Sequence, residues 1–170
     1  MDTQMIRLPA WKEMPNIGLY MDQVLVIMDR LFAFKMPKGE LTKAMINNYV
    51  KAGLLPRPVK KKYEREHLAI LIMLYIFKQS LDMETVDALI KQLCKDGTQQ
   101  GYERFCQLTE ELEHAVMLDR VELDLSSDTR EDSLLRLGLM SSLCSVRIHW
   151  MLYGENQAGK TAESGKGAKE

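Results

Sequence analysis

Ten consecutive apolar residues, Leu68 to Phe77, read LAILIMLYIF. A bilayer span needs roughly 20 apolar residues, so this run is too short to cross a membrane. A helix that is apolar all round must be covered by other elements on most of its sides. The run therefore predicts a buried axle helix, about Arg65 to Ser80, with the rest of the chain wrapped on it. The 170 residues suffice for one compact domain built this way. Twelve Met against ten Gly and five Pro favour helices over a sandwich or barrel. The opening MDTQMIRLPAWKEMP has no apolar h-region, so no signal peptide is expected.

Helical periodicity places five further helices around the axle. The first runs from Tyr20 to about Phe34, with Met21, Val24, Leu25, Met28, Leu31 and Phe32 on one stripe. The second, 42–53, starts at the N-cap Thr42 and stops at Gly53. The fourth runs from its cap Asp82 to about Lys95, and the fifth from Gln99 to Met117. For the sixth, Asp128-Thr-Arg-Glu131 fits a capping box, and the helix then runs to about Tyr153. Its apolar residues (Leu134, Leu135, Leu137, Leu139, Met140, Leu143, Val146, Ile148, Met151) cover more than one face. That pattern predicts burial on two sides, one of them against a second copy. Residues 1–19 read as an extended strap laying Trp11, Met14, Ile17 and Leu19 on the core. VELDL, from Val121, alternates like a strand without an obvious partner. From Gly154 the composition is that of a solvated tail.

Charge is distributed unevenly. Lys35 to Glu66 holds nine bases and three acids, a net of +6, and Asp82 to Arg136 holds six bases and fourteen acids, a net of −8. Such blocks suit one face for a polyanion and another that repels it, or two solvated faces of opposite sign.

Most candidate chemistry dissolves on inspection. Gly154 to Thr161 matches GxxxxGK[ST], but a phosphate loop needs a strand before it and a helix after it, and only nine residues follow. His67, His114 and His149 fall on three different helices with no acid or Cys at ligand spacing, so no catalytic or metal site is expected. His67 reads as a surface or cap residue. Glu110, Glu111 and Glu113 read as a solvated helix face. Cys94, Cys106 and Cys144 form no CxxC pair and read as buried free thiols. No cofactor is expected, and the chain does not read as an enzyme.

The basic segment is different, because several features coincide there. The second helix is slim. Met45, Ile46, Tyr49 and Val50 share one face, and Lys43, Asn47, Asn48 and Lys51 fall mainly on the other. Asn pairs with the N6 and N7 edge of adenine. Lys43, Lys51, Arg57, Lys60, Lys61 and Lys62 are spaced to meet phosphates beside a major groove. Pro58 holds Arg57 out of the helical region, so residues 57–63 form a short basic hairpin, or wing. The plain alternative is a polar helix with a Lys-rich loop that keeps the protein soluble.

The stretch LTKAMINNYVKAGLLPRPVKKKYEREHLAILIMLYIFKQSLDMETVDALI resembles the helix–wing–helix of MerR-type regulators. Tyr49, Gly53, Leu54, Leu55, Pro56, Pro58 and Tyr63 sit where that pattern expects them. The chain is more closely similar to the bacterial YkrK-like family of unknown function, chiefly through Leu19 to Val24 and Leu41 to Pro56. The resemblance implies a cytoplasmic bacterial regulator and puts Asn47, Asn48 and Lys51 where MerR-type proteins contact DNA. Taken with the spacing of the cations, the expected DNA-binding set is Lys43, Asn47, Asn48, Lys51, Arg57, Lys60, Lys61, Lys62 and Tyr63. It departs from the MerR pattern in a longer first helix, a wing without Gly-Tyr-Arg, and no recognisable effector domain.

The expected fold is mainly all-α, a MerR-like winged helix-turn-helix (20–97) between the strap (1–19) and a C-terminal helical lobe (98–153), with a tail (154–170). The expected partners are double-stranded DNA and a second copy, because one helix covers only about half a turn of groove. A protein-interaction module that keeps the winged fold without DNA is the rival reading. A ligand sensor with a pocket among Trp150, Tyr102 and the Met-rich helices is the third.

Overall fold

The computed structural model describes residues 6–32, 36–117, 126 and 129–153. It is mainly helical: α1 (Met21–Leu31), α2 (Lys43–Lys51), α3 (Arg65–Phe77), α4 (Met83–Leu93), α5 (Thr98–Met117) and α6 (Arg130–Tyr153), after a short 3-10 turn at Trp11–Glu13. Among the described residues the β pairing consists of two isolated antiparallel bridges, Leu19 with Tyr63 and Val59 with Lys62.

The apolar run is the axle. Every residue of α3 from His67 to Phe77 is buried, and α4, α5 and α6 all pack against it. α3 ends at Phe77, three residues short of the sequence expectation. Its last carbonyls turn toward α6, where Ser142 Oγ donates to the Phe77 carbonyl at 3.3 Å and Ser145 Oγ to the Gln79 carbonyl at 3.4 Å. The Phe77 carbonyl also accepts the Leu81 N–H at 3.1 Å, so the hydroxyls of α6 add to the chain's own bonds at this helix end.

The caps fix most other boundaries. The Thr42 hydroxyl accepts the Met45 N–H at 3.2 Å, and Asp82 accepts the Thr85 N–H at 2.9 Å. α1 stops at Leu31, short of Phe34, with Phe32 N–H bonded to the Met28 carbonyl at 3.0 Å. The cap of α6 lies one residue later than expected. The Thr129 hydroxyl accepts the Asp132 N–H at 3.2 Å and donates to the Asp132 carboxylate at 2.9 Å. Asp128, the strand-like residues 121–125 and the tail from 154, with its phosphate-loop match, lie outside the described residues.

The strap is tied down along its length. Ile6 N–H donates to Glu113 at 2.6 Å, and the Tyr102 hydroxyl donates to the Pro9 carbonyl at 2.9 Å. The Arg65 guanidinium donates twice to the Met14 carbonyl and lies over the Trp11 ring. Leu19 then exchanges two 2.8 Å backbone bonds with Tyr63. Trp11, Met14 and Leu19 are buried as expected, but Ile17 is 69% exposed. Three further expectations are corrected. Glu113 is buried, because the strap brings it a backbone donor. His67 is a cap residue but a buried one, its Nδ1 accepting the Glu64 N–H at 3.0 Å. Cys94, Cys106 and Cys144 are free but only half-buried. One continuous core runs from Ile6 to Val146, so α3 serves both the elements that precede it and the helices that follow it.

Candidate nucleic-acid interface

α2 is held to the body by two fully committed side chains, Ile46 and Tyr49, with Met45 and Val50 half-buried beside them. At 100° per residue, Lys43, Asn47 and Lys51 form a stripe at i, i+4 and i+8 on the opposite side, with Asn48 at its edge. All four are exposed. Gly53, at φ +75°, ends the helix in the left-handed conformation that glycine adopts without penalty. The Leu54 and Leu55 N–H groups both donate to the Tyr49 carbonyl, at 2.9 and 3.2 Å, and Leu55 is buried as the anchor of the turn. From there Arg57 stands exposed beside Pro58, and the chain enters the hairpin.

The hairpin turn is tight. Lys62 N–H donates to the Val59 carbonyl at 2.9 Å, leaving Lys60 and Lys61 as its two central residues. Both have positive φ, 50° and 64°. Positive φ at both central positions is the mark of a type I′ turn, where Asn-Gly is the favoured pair. Two lysines there are strained by roughly 1 kcal/mol each. Their side chains are exposed.

The expected site residues do not all stand alike. Arg57, Lys60, Lys61, Asn47, Asn48 and Lys51 are exposed. Lys43 is exposed but ion-paired with Asp22 of α1. Lys62 is exposed, yet its stem runs so close to Gly18 that a Cβ there would meet Lys62 Cδ at 2.9 Å. Its ammonium lies 5.6 Å from the centre of the Tyr20 ring. Tyr63 is the correction: at 3% exposure it is core. Its bridge to Leu19 turns the ring inward, edge-on to His67 at 5.5 Å, and burial raises its phenol pKa. Tyr63 therefore supports the wing from beneath rather than offering a face to solvent.

Sequence reasoning missed Tyr20 and Asp22, the residues of α1 and its cap that border this surface. Neither shares a local pattern with α2 or the wing. Both arrive through tertiary packing, so spacing held no signal for them. The region is electrically graded: cations gather from Lys51 through the wing, and Asp22 sits at the start of α2.

Elsewhere, among the described residues no group of three or more His, Cys, Asp or Glu is placed to hold a metal ion. No described helix is long and apolar enough to cross a membrane. Tyr102 is fully enclosed, whereas Trp150 stands out from α6.

No curated protein and no solved structure matches the chain. A family described as a domain of unknown function (DUF1836) matches residues 9–109, which take in most of the strap, α1 to α4, the wing and the first half of α5. With more than half of its length covered by that match, the chain belongs to the DUF1836 family.

Proposed function

We propose that this protein is a DNA-binding transcriptional regulator that uses α2 and the wing as a MerR-type winged helix-turn-helix. In this reading α2 enters the major groove. Asn47 and Asn48 reach base edges, and Lys51, Arg57, Lys60 and Lys61 meet the phosphates beside it. The observation that carries the reading is the Lys60–Lys61 turn. Both lysines hold positive φ where Asn-Gly is favoured, so the turn gives up stability to place two cations at an exposed tip. Strain retained at an exposed site points to use, and paired cations on a slim loop suit a phosphate backbone. Acting on DNA places the protein in the cytoplasm of a bacterial cell.

The rival is a protein-interaction module. Its support is Asp22, an acid at the start of α2 that neutralises Lys43 and is repelled by phosphate. Titration of random duplex DNA over a range of salt separates the two. A DNA binder loses affinity steeply as salt rises, and reversing Lys60, Lys61 and Lys62 to Glu abolishes binding. Weak, salt-insensitive binding overturns the proposal in favour of the interaction module. Asn47→Ala and Asn48→Ala then test base reading: sequence preference that survives both removes α2 from the groove.

A further inference from the structure

α6 has two apolar faces. Leu135, Leu139, Leu143 and Val146 are buried, and α6 packs on α3, α4 and α5. On the opposite side Leu134, Leu137, Ser141, Cys144, Ile148 and Met151 follow at alternating spacings of three and four residues, with Cys144 half-buried where the stripe meets the core. The four large residues of this stripe are roughly half-exposed or more, up to 62% at Met151. Alternating three-and-four spacing is the repeat by which one helix meets another along a seam. The stripe runs about 26 Å along α6. With Leu152 at its edge, the stripe presents five large apolar side chains, each 47–62% exposed, on the side of α6 that faces away from the core. An exposed apolar stripe of this length marks an interaction surface.

We infer that this stripe docks α6 of a second copy of the chain in a two-fold pair. The stripe is self-complementary: large residues stand at both ends (Leu134 and Leu137; Ile148 and Met151), and the small Ser141 and Cys144 lie between. Laid on a copy of itself, parallel or antiparallel, it sets large against large and lets the helices approach at the small pair. An isologous contact needs this property, because the same patch serves both partners. The chain's own tail is a poor occupant, since GENQAGKTAESGKGAKE contains no large apolar residue to seat in the seam. A membrane surface is a poor one too. The described residues of α6 from Leu143 onward carry a single Arg and a single His, whereas interfacial helices are rich in Lys and Arg.

The test is sedimentation of the full chain at micromolar concentration without DNA, so it stands apart from the reading of the wing. Wild type sediments as a dimer, and Leu137→Glu with Ile148→Glu halves the mass while helical circular dichroism is retained. A monomeric wild type, including one that floats with phosphatidylcholine vesicles, overturns the inference, as does a dimer that survives both substitutions. If the doubly charged variant unfolds, Ser141→Cys decides under mild oxidation. With native Cys144 present, parallel helices set like residues opposite, and antiparallel helices set the introduced thiol against Cys144, so an interchain disulfide forms either way. Failure to cross-link overturns the inference.

Discussion

Lys43, the first residue of α2, is ion-paired with Asp22 in the first turn of α1, and both side chains remain more than half exposed. A lysine at a helix N-terminus faces the positive pole of the macrodipole, and the neighbouring carboxylate offsets that repulsion. An exposed pair contributes only about 0–1 kcal/mol to stability. On a surface that binds DNA, the same carboxylate opposes phosphate and occupies a cation. Asp22→Asn therefore raises duplex affinity several-fold and steepens the salt dependence by about one unit, with Tm nearly unchanged. An unchanged or weakened affinity, read by anisotropy titration, removes the N-terminal end of α2 from the DNA.

The wing offers a trade between stability and binding. Replacing Lys60-Lys61 by Asn-Gly installs the pair that a type I′ turn favours and relieves about 1–2 kcal/mol of strain. It also removes two exposed cations. Denaturant unfolding is expected to show the gain in stability, while DNA titration shows lower affinity and a salt slope shallower by about two. Greater stability with unaltered DNA binding shows that the lysines serve something other than phosphate.

What the sequence made legible was local. The all-apolar run of α3 fixed the axle, and Thr42, Gly53 and Asp82 fixed helix ends, because each acts within a few residues of itself. The cap of α6 was displaced by one because Thr129 finds its partner in Asp132, and two overlapping patterns compete there. What stayed hidden was long-range. Glu113 reads as a solvated acid until the strap brings the Ile6 N–H to it from 107 residues away. Tyr63 reads as a wing residue until Leu19 pairs with its backbone and turns its ring into the core. The exposed side of the site was readable from α2 itself, since Ile46 and Tyr49 mark the buried face and the polar stripe follows by geometry. The border formed by Tyr20 and Asp22 was not.

Gly101 tests the packing of α5 on α4. It lies in the first turns of α5, where Ala in place of Gly ordinarily stabilises a helix by about 1 kcal/mol. Here a Cβ would meet the Leu93 carbonyl oxygen at 2.5 Å, and backbone cannot swing aside as a flexible side chain does. Gly101→Ala is expected to reverse the usual sign and destabilise by about 2 kcal/mol or more, seen as a lower denaturant midpoint. A stabilised variant means that α4 and α5 are not in this close contact.

Lys78, the C-cap of α3, is buried with its ammonium 4.9 Å from the centre of the Tyr75 ring. Burial lowers its pKa to about 8, and nearby Lys38 adds a smaller push in the same direction. The unfolded chain holds this proton up to the ordinary lysine value of 10.5. Between those two values the unfolded state binds more protons than the folded state, so stability rises with pH across that window. The Tyr75 phenol, raised to about 12 first by burial and then by Glu40, Asp29 and Tyr49, contributes the opposite slope, but only above its ordinary value of 10.0. The Cys94 and Cys106 thiols, raised by burial, act in that opposite sense from their ordinary value of 9.0 upward, so thermal unfolding below about pH 9, and the comparison with a variant lacking only the ammonium, isolates the lysine. Lys78→Met keeps the apolar stem and removes the charge. It is expected to raise Tm by a few degrees at about pH 7 and to show a shallower rise than wild type as the solution turns alkaline, so that the two converge. Parallel curves from about pH 7 to 10 mean that the ammonium reaches solvent and that the end of α3 is looser than this packing requires.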